Sequence, residues 1–232
     1  VRAVGKGQAV YLNLCLVPYR EERQMGGRNE LVWRQLLDGA LALAGIRPPI
    51  DVEPDGPRPF RGHVITFSDG ATRYLGLLRE HVAGEPDEAF TLRLPRAGHL
   101  YDVRAGKGLG RSERLNVVLY PGAARLYCLS PAALSAPILE CAEAGTIGKP
   151  FIGRLRVAGR GEQHTVLRLE VRDAHGVLRQ PYSGPHRLRP GMKSLEVRFT
   201  PALNDPAGEW ELRAVDIASG QHVARKVRIA AP

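Results

Sequence analysis

The strongest constraint in this 232-residue sequence is the alternation of apolar and charged residues along its last hundred positions. Phe151, Leu155 and Val157 oppose Arg154 and Arg156, and Leu167, Leu169 and Val171 oppose Arg168, Glu170 and Arg172. The pattern continues with Leu195, Val197 and Phe199 against Glu196 and Arg198, Trp210 and Leu212 against Glu211 and Arg213, and Val227 and Ile229 against Arg228. A period of two puts successive side chains on opposite faces of a strand, so each segment has one wet face and one dry one. The dry faces need a second sheet to cover them. Asp173-Ala174-His175-Gly176 and Ile217-Ala218-Ser219-Gly220 sit where hairpin turns are required. Some seven strands in about a hundred residues is the size of an immunoglobulin-like sandwich. The Cys pair and mid-chain Trp of true immunoglobulin domains are absent, so the inference is to architecture alone.

Upstream, short apolar runs at His63 to Phe67, Arg73 to Leu78, Phe90 to Leu94, Leu100 to Arg104, Leu115 to Leu119 and Arg125 to Leu129 also predict strands. Ser68-Asp69-Gly70, Arg96-Ala97-Gly98 and Tyr120-Pro121-Gly122 read as the turns between them. Before these, Ala9 to Val17 predicts a buried strand. A helix follows, capped by Asn29, with Trp33, Leu36, Leu37, Ala40, Leu41 and Ala44 on one stripe. Gly45 ends it and Pro48-Pro49 prevent its continuing. The Pro, Asp and Gly-rich stretch from Ile50 to Pro59 reads as a linker, and a second boundary falls between Ser130 and Pro137. The expected fold is thus mainly β: a short strand-helix α/β segment (1–54), then two antiparallel β-sandwich domains (55–131 and 132–232), the second immunoglobulin-like.

Thirty-three Lys and Arg against 24 Asp and Glu give a net charge of +9, which brings a polyanionic partner into consideration. The charge divides almost evenly, +5 from Pro131 onward and +4 before it, so neither half is a basic arm. Aromatic residues make up only 6%, with no interleaving of rings and basic residues, and nucleic acid is not expected as a partner. The apolar run at Ala9 to Val17 is far shorter than a membrane helix, so no membrane span is expected. The start at Val1 reads as the start of a fragment. Cys15, Cys128 and Cys141 are odd in number and widely spaced, and they read as three buried thiols; a Cys128–Cys141 bridge would require the two to face one another.

A search for chemistry returns little. Gly106-Lys107-Gly108-Leu109-Gly110 has the glycines of a phosphate-cradling loop but strands rather than a helix beside it, so it reads as a hairpin loop. The histidines form no i, i+4 pair and have no Cys at ligand spacing, no Gly-x-Ser-x-Gly elbow occurs, and no catalytic residue, cofactor or metal is expected. The string Asn204-Asp205-Pro206-Ala207-Gly208-Glu209-Trp210 reads as a turn feeding Trp210 into a strand. Its alternation with Leu212 favours burial. The competing reading makes Trp210 and Tyr182, with Tyr101 and Tyr74, stacking surfaces for a sugar.

Gly5-Lys6-Gly7-Gln8-Ala9-Val10-Tyr11-Leu12-Asn13, the amphipathic helix, and Ala44-Gly45-Ile46-Arg47-Pro48-Pro49 together resemble the last strand and helix of the glutamine-amidotransferase-like trimerisation domain of beta-galactosidase-like glycoside hydrolases. Leu94-Pro95-Arg96-Ala97-Gly98-His99-Leu100-Tyr101-Asp102-Val103-Arg104 and the Asp-Pro-Ala-Gly-Glu-Trp string are similar to the β-sandwich modules that follow such domains. The motifs that hold that family's catalytic residues are missing, so none is carried over. The resemblance implies a non-catalytic accessory C-terminal region of a larger bacterial protein, packing on its upstream domains. The alternative is a carbohydrate-binding module. Unpaired edge strands add the prospect of a homo-oligomer.

Overall fold

The computed structural model describes residues 2–4, 7–9, 30–48, 50–56, 60–81, 84–159 and 163–232. The chain is mainly β. Its elements run β1 (Arg2–Val4), β2 (Gly7–Ala9), α1 (Glu30–Leu43), β3 (Asp51–Pro54), β4 (Gly62–Asp69), β5 (Thr72–Arg79), β6 (Glu88–Asp102), β7 (Lys107–Leu119) and β8 (Ala124–Ser130). There follow β9 (Pro137–Cys141), β10 (Ala144–Thr146), β11 (Phe151–Val157), β12 (Thr165–Arg172), a short 3-10 turn (Gln180–Tyr182), β13 (Gly184–Leu188), β14 (Leu195–Phe199), β15 (Gly208–Asp216) and β16 (His222–Ala230). Contacts divide the chain into two compact units: Val1–Val64 with Leu77–Arg96 and Glu113–Ala124, and Ile65–Gly76 with Ala97–Ser112 and Arg125–Pro232. Strands β4 to β8 lie in one sheet of order β3-β6-β8-β5-β4, with β7 paired to β6.

In the second unit, a five-stranded sheet (β10-β16-β15-β12-β13) and a three-stranded sheet (β14-β11-β9) enclose one core. The dry residues read from the alternation fill it: Phe151, Leu155, Leu167, Leu169, Val171, Val197, Phe199, Trp210, Leu212, Val227 and Ile229. The wet face has its own order. The antiparallel register sets Glu170 opposite Arg213, Arg172 opposite Glu211, Glu211 opposite Lys226 and Glu209 opposite Arg228. Opposite charges face one another across strands there, which is the favourable cross-strand arrangement. A smaller cluster of Tyr101, Cys128, Leu134 and Ala218 is joined by Tyr74 and Val103. Beside it the turns at Gly106 and Gly220 meet backbone to backbone, and a Cβ on Gly220 would overlap the main chain of Gly106. Gly220 also has φ 73°, so both its conformation and its surroundings require glycine.

In the first unit, α1 ends as its sequence predicts. Gly45 has φ 73°, its N–H donates to Ala42 O, and the Ile46 N–H donates to Leu41 O, which together make the Schellman arrangement. Arg34 Nη1 donates to Phe60 O at 2.7 Å and ties the helix to the chain entering β4. Ile50, Phe60, Leu77, Phe90, Leu92, Leu115, Val117 and Leu119 are buried, with the Phe60 and Phe90 rings edge to face at 5.2 Å. The apolar stripe of α1 is only partly covered: Trp33, Leu36, Leu37 and Ala40 are half-buried, and Leu41 is exposed.

Three expectations change. Residues 51–54, read as linker, form β3 and pair with Phe90–Arg93 of β6, where the Pro at its last position removes a donor at the strand's end. Arg96-Ala97-Gly98 is no turn but the middle of the 15-residue β6, and Gly98 serves close approach to Leu129 and Ser130 rather than a reversal. The glycine-rich string is divided: Gly106 belongs to the turn at φ 59° and Lys107 to Gly110 already lie in β7. Cys128 and Cys141 are both free thiols; Cys128 is buried as expected, whereas Cys141 is only partly buried. Cys15, the Asn29 cap and most of the Ala9 to Val17 strand lie outside the described residues.

Candidate functional site

The four aromatic candidates do not share a surface. Trp210 is 0% exposed, and its indole N–H donates to Pro206 O at 2.9 Å. Its ring stacks parallel to Phe199 at 6.4 Å and on Tyr182 at 6.1 Å. A fully buried ring offers no face to a sugar, and the turn before it supplies the acceptor that a buried indole needs. Tyr182 is half-buried, stacked on Phe199 at 5.2 Å, with its hydroxyl donating to Asp205 Oδ2 at 2.6 Å and accepting from the Ala202 N–H. Burial pushes its phenol pKa up, and the Asp205 bond adds to the effect. Tyr101 is buried, and its hydroxyl accepts the Leu134 N–H at 2.8 Å. Tyr74 is half-buried against the same cluster.

The ionisable groups that alternation did not reveal are gathered into structural networks. Asp173 Oδ1 accepts the N–H groups of His175 and Val177, closing the β12 turn, and Arg179 bridges Asp173 at 2.5 Å and Asp205 at 3.4 Å. Burial pushes the Asp173 carboxyl up, but the two backbone donors and Arg179 outweigh it and hold the group below the usual carboxylate range. Arg79, 1% exposed, donates to Pro86 O and Leu119 O and pairs with Glu85 and Glu88, while Arg61 also pairs with Glu85. An Arg on the dry side of β5 breaks the alternation, and that break is the one signal of this network in the sequence. In the second unit, Asp69 accepts both the backbone N–H of His164 at 2.9 Å and its ring Nδ1 at 3.0 Å. Arg187 lies 3.2 Å from Nε2 and can only donate, so the neutral ring carries its proton on Nδ1. Among the described residues, no three His, Cys, Asp or Glu side chains gather as a metal site.

A concave surface lies in the first unit. A groove of about 710 Å³ runs between α1 and the chain from β3 into β4, lined by Leu41, Ala42, Ile46, Ile50, Val52 and Phe60 among others, with Arg34, Asp38, Arg47 and Asp51 at its polar positions. Leu41 and Ile46 are 46% and 55% exposed. Its helix residues Arg34, Asp38, Leu41 and Ala42 fall at i, i+4, i+7 and i+8 on one side of α1, and the Schellman turn carries the lining on to Ile46. The surface combines apolar area with charged margins. No protein-family model matches the chain, and no curated protein matches it.

Proposed function

We propose that the chain is a non-catalytic accessory region of a larger glycoside-hydrolase-like protein, whose β domains pack against and support neighbouring domains. The two-layer body of β9 to β16 is read here as immunoglobulin-like, and α1 with its flanking strands as the end of an α/β domain. The observation that carries the reading is the groove along α1, open among the described residues. Leu41 and Ile46 are exposed along it, and exposed apolar area of this kind is completed by another surface; the resemblance of residues 5–13 and 44–49 suggests the upstream domain as that surface. The buried aromatic rings and the paired buried carboxylates support the same reading, since each is occupied in holding the fold.

The test uses the full-length protein that contains this region, with Leu41→Glu and Ile46→Glu introduced together. Loss of interdomain protection at α1 in hydrogen exchange is expected, with the melting temperature of the isolated chain unchanged. Hydrolysis of aryl glycosides by the isolated chain, abolished by a single carboxylate substitution, would overturn the reading. Salt-resistant binding on a glycan array would instead favour a carbohydrate-binding module.

A further inference from the structure

We infer that the β4 edge is a self-pairing surface, across which two copies of this chain join their sheets about a two-fold axis through Thr66. This extends the assembly side of the accessory reading but rests on separate residues. A free strand edge presents unpaired N–H and C=O groups, and proteins usually blunt it with Pro, charge or shortness. The edges among the described residues are blunted with one exception. β3 has four residues and ends in Pro54, β13 contains Pro185, and β9 begins with Pro137. β1, β2 and β10 have three residues each, β14 carries Glu196 and Arg198, and β7 carries Lys107, Arg111, Glu113 and Arg114. β4 lies at the end of its strand order, is eight residues long, has no Pro, Lys or Arg, and carries its one carboxylate, Asp69, at its last position, where it holds His164. It also exposes Ile65 and Phe67, at 45% and 59%.

The choice of occupant follows from register. Along one edge of a strand only every second residue turns its N–H and C=O outward, so a two-fold antiparallel pair must match residues of the same parity. The axis therefore passes through a residue and not between two. An axis through Ile65 would set Phe67 opposite His63 of the second copy. An axis through Thr66 sets Ile65 opposite Phe67 twice over, Thr66 opposite itself, and Val64 opposite Ser68. It also sets His63 opposite Asp69, so no like charges meet. Aromatic against β-branched is a favoured cross-strand pair, and here both exposed apolar residues of the strand are used in it.

The experiment is sedimentation velocity on the whole chain from low micromolar to about 100 μM, a range suited to a small edge interface, with Phe67→Lys and Ile65→Lys as variants. The groove variant Leu41→Glu, Ile46→Glu is run alongside. A dimer is expected for the unsubstituted chain and the groove variant, with at least about tenfold weaker association in Phe67→Lys and Ile65→Lys. As a second readout that does not depend on a destabilising charge, Thr66→Cys is made in a background with Cys15 and Cys141 replaced by Ala. Antiparallel partners lie about 4.5–5.5 Å apart at Cα, within the range a disulfide spans, so Thr66→Cys is expected to form a covalent dimer under mild oxidation. A monomer at all concentrations, a dimer that survives both Lys variants, or failure of Thr66→Cys to cross-link overturns the proposal. A monomer leaves the groove reading standing, because that reading is measured on α1. A dimer lost only in the groove variant overturns the β4 assignment and moves self-association to α1.

Discussion

Replacing Trp210 by Ala separates a core role from a ligand-binding one. The side chain is fully buried against Phe199 and Tyr182, with its N–H bonded to Pro206 O. A Trp buries about 150–250 Å², which at about 25 cal/mol per Å² amounts to roughly 4–6 kcal/mol as an upper bound. Large-to-small core substitutions at aromatic positions cost about 3–5 kcal/mol. That is a large part of the roughly 5–15 kcal/mol available to a domain. With a urea slope of about 2 kcal/mol per molar, the unfolding midpoint should fall by about 2 M. Trp210→Phe keeps most of the stacking and loses the bond to Pro206, so it should cost about 1 kcal/mol for the bond together with part of the packing term. The assay is urea unfolding followed by near-ultraviolet circular dichroism, with a glycan panel screened on the unsubstituted chain. A midpoint shift under about 0.5 M for Trp210→Ala, or quenching of Trp210 fluorescence by a sugar in a Trp33→Phe background, would refute the core assignment.

Gly220→Ala should destabilise the second unit by about 2 kcal/mol or more, since it combines a left-handed φ with overlap on Gly106; thermal unfolding measures it, and an unchanged melting temperature counts against the contact. Asp173→Ala should cost about 2 kcal/mol through loss of charge-assisted bonds to Arg179 and the β12 turn, read by urea unfolding at neutral pH. Because the Asp173 carboxyl is held below its ordinary value, its contribution is present above the unfolded carboxylate pKa and is lost as pH falls through the lower folded value; Asp173→Asn should flatten that acid limb. His186 acts in the same direction in a higher pH window: burial pushes its imidazole down, so the unfolded chain binds the proton first. Stability should decline as pH falls from about 6.5, the unfolded value, toward the lower folded value, and His186→Gln should remove that decline in melts taken at pH 7 and pH 5.

What the sequence made legible was whatever depended on period and on turn chemistry. Strands β11, β12, β14, β15 and β16 follow directly from alternation, because each has one face on the core and one in water. The helix end at Gly45 and the Asp173 turn follow from residues whose local conformations are specialised. Strands β9, β10 and β13 were not legible: they are short edge strands, and Pro137, Gly145 and Pro185 interrupt the pattern that would have announced them. Gly98 was misread for a related reason, since a glycine needed for close approach and one needed for a turn are the same letter. Of the site candidates, alternation favoured burial of Trp210, whereas nothing local distinguishes Tyr101, whose partner Leu134 is 33 residues away. The Asp69, His164 and Arg187 contact joins residues separated by 95 and 23 positions, and only the fold brings them together.

The meeting of Gly106 with Gly220 limits how this chain can be cut or grafted. One of these turns lies between β6 and β7 and the other between β15 and β16, yet both belong to the second unit, as do Thr72, Asp69 and their partners Gln163 and His164. An excision starting near Pro131 would keep all eight strands around the main core and discard Tyr101, Asp69 and the Gly106 turn. The remaining body would carry bare backbone at Gly220 and an unpaired Leu134 N–H, so modularity here is set by tertiary contact and not by the order of strands along the chain. Anyone transplanting the β9 to β16 body into another protein should take the β4–β5 and β6–β7 tips with it.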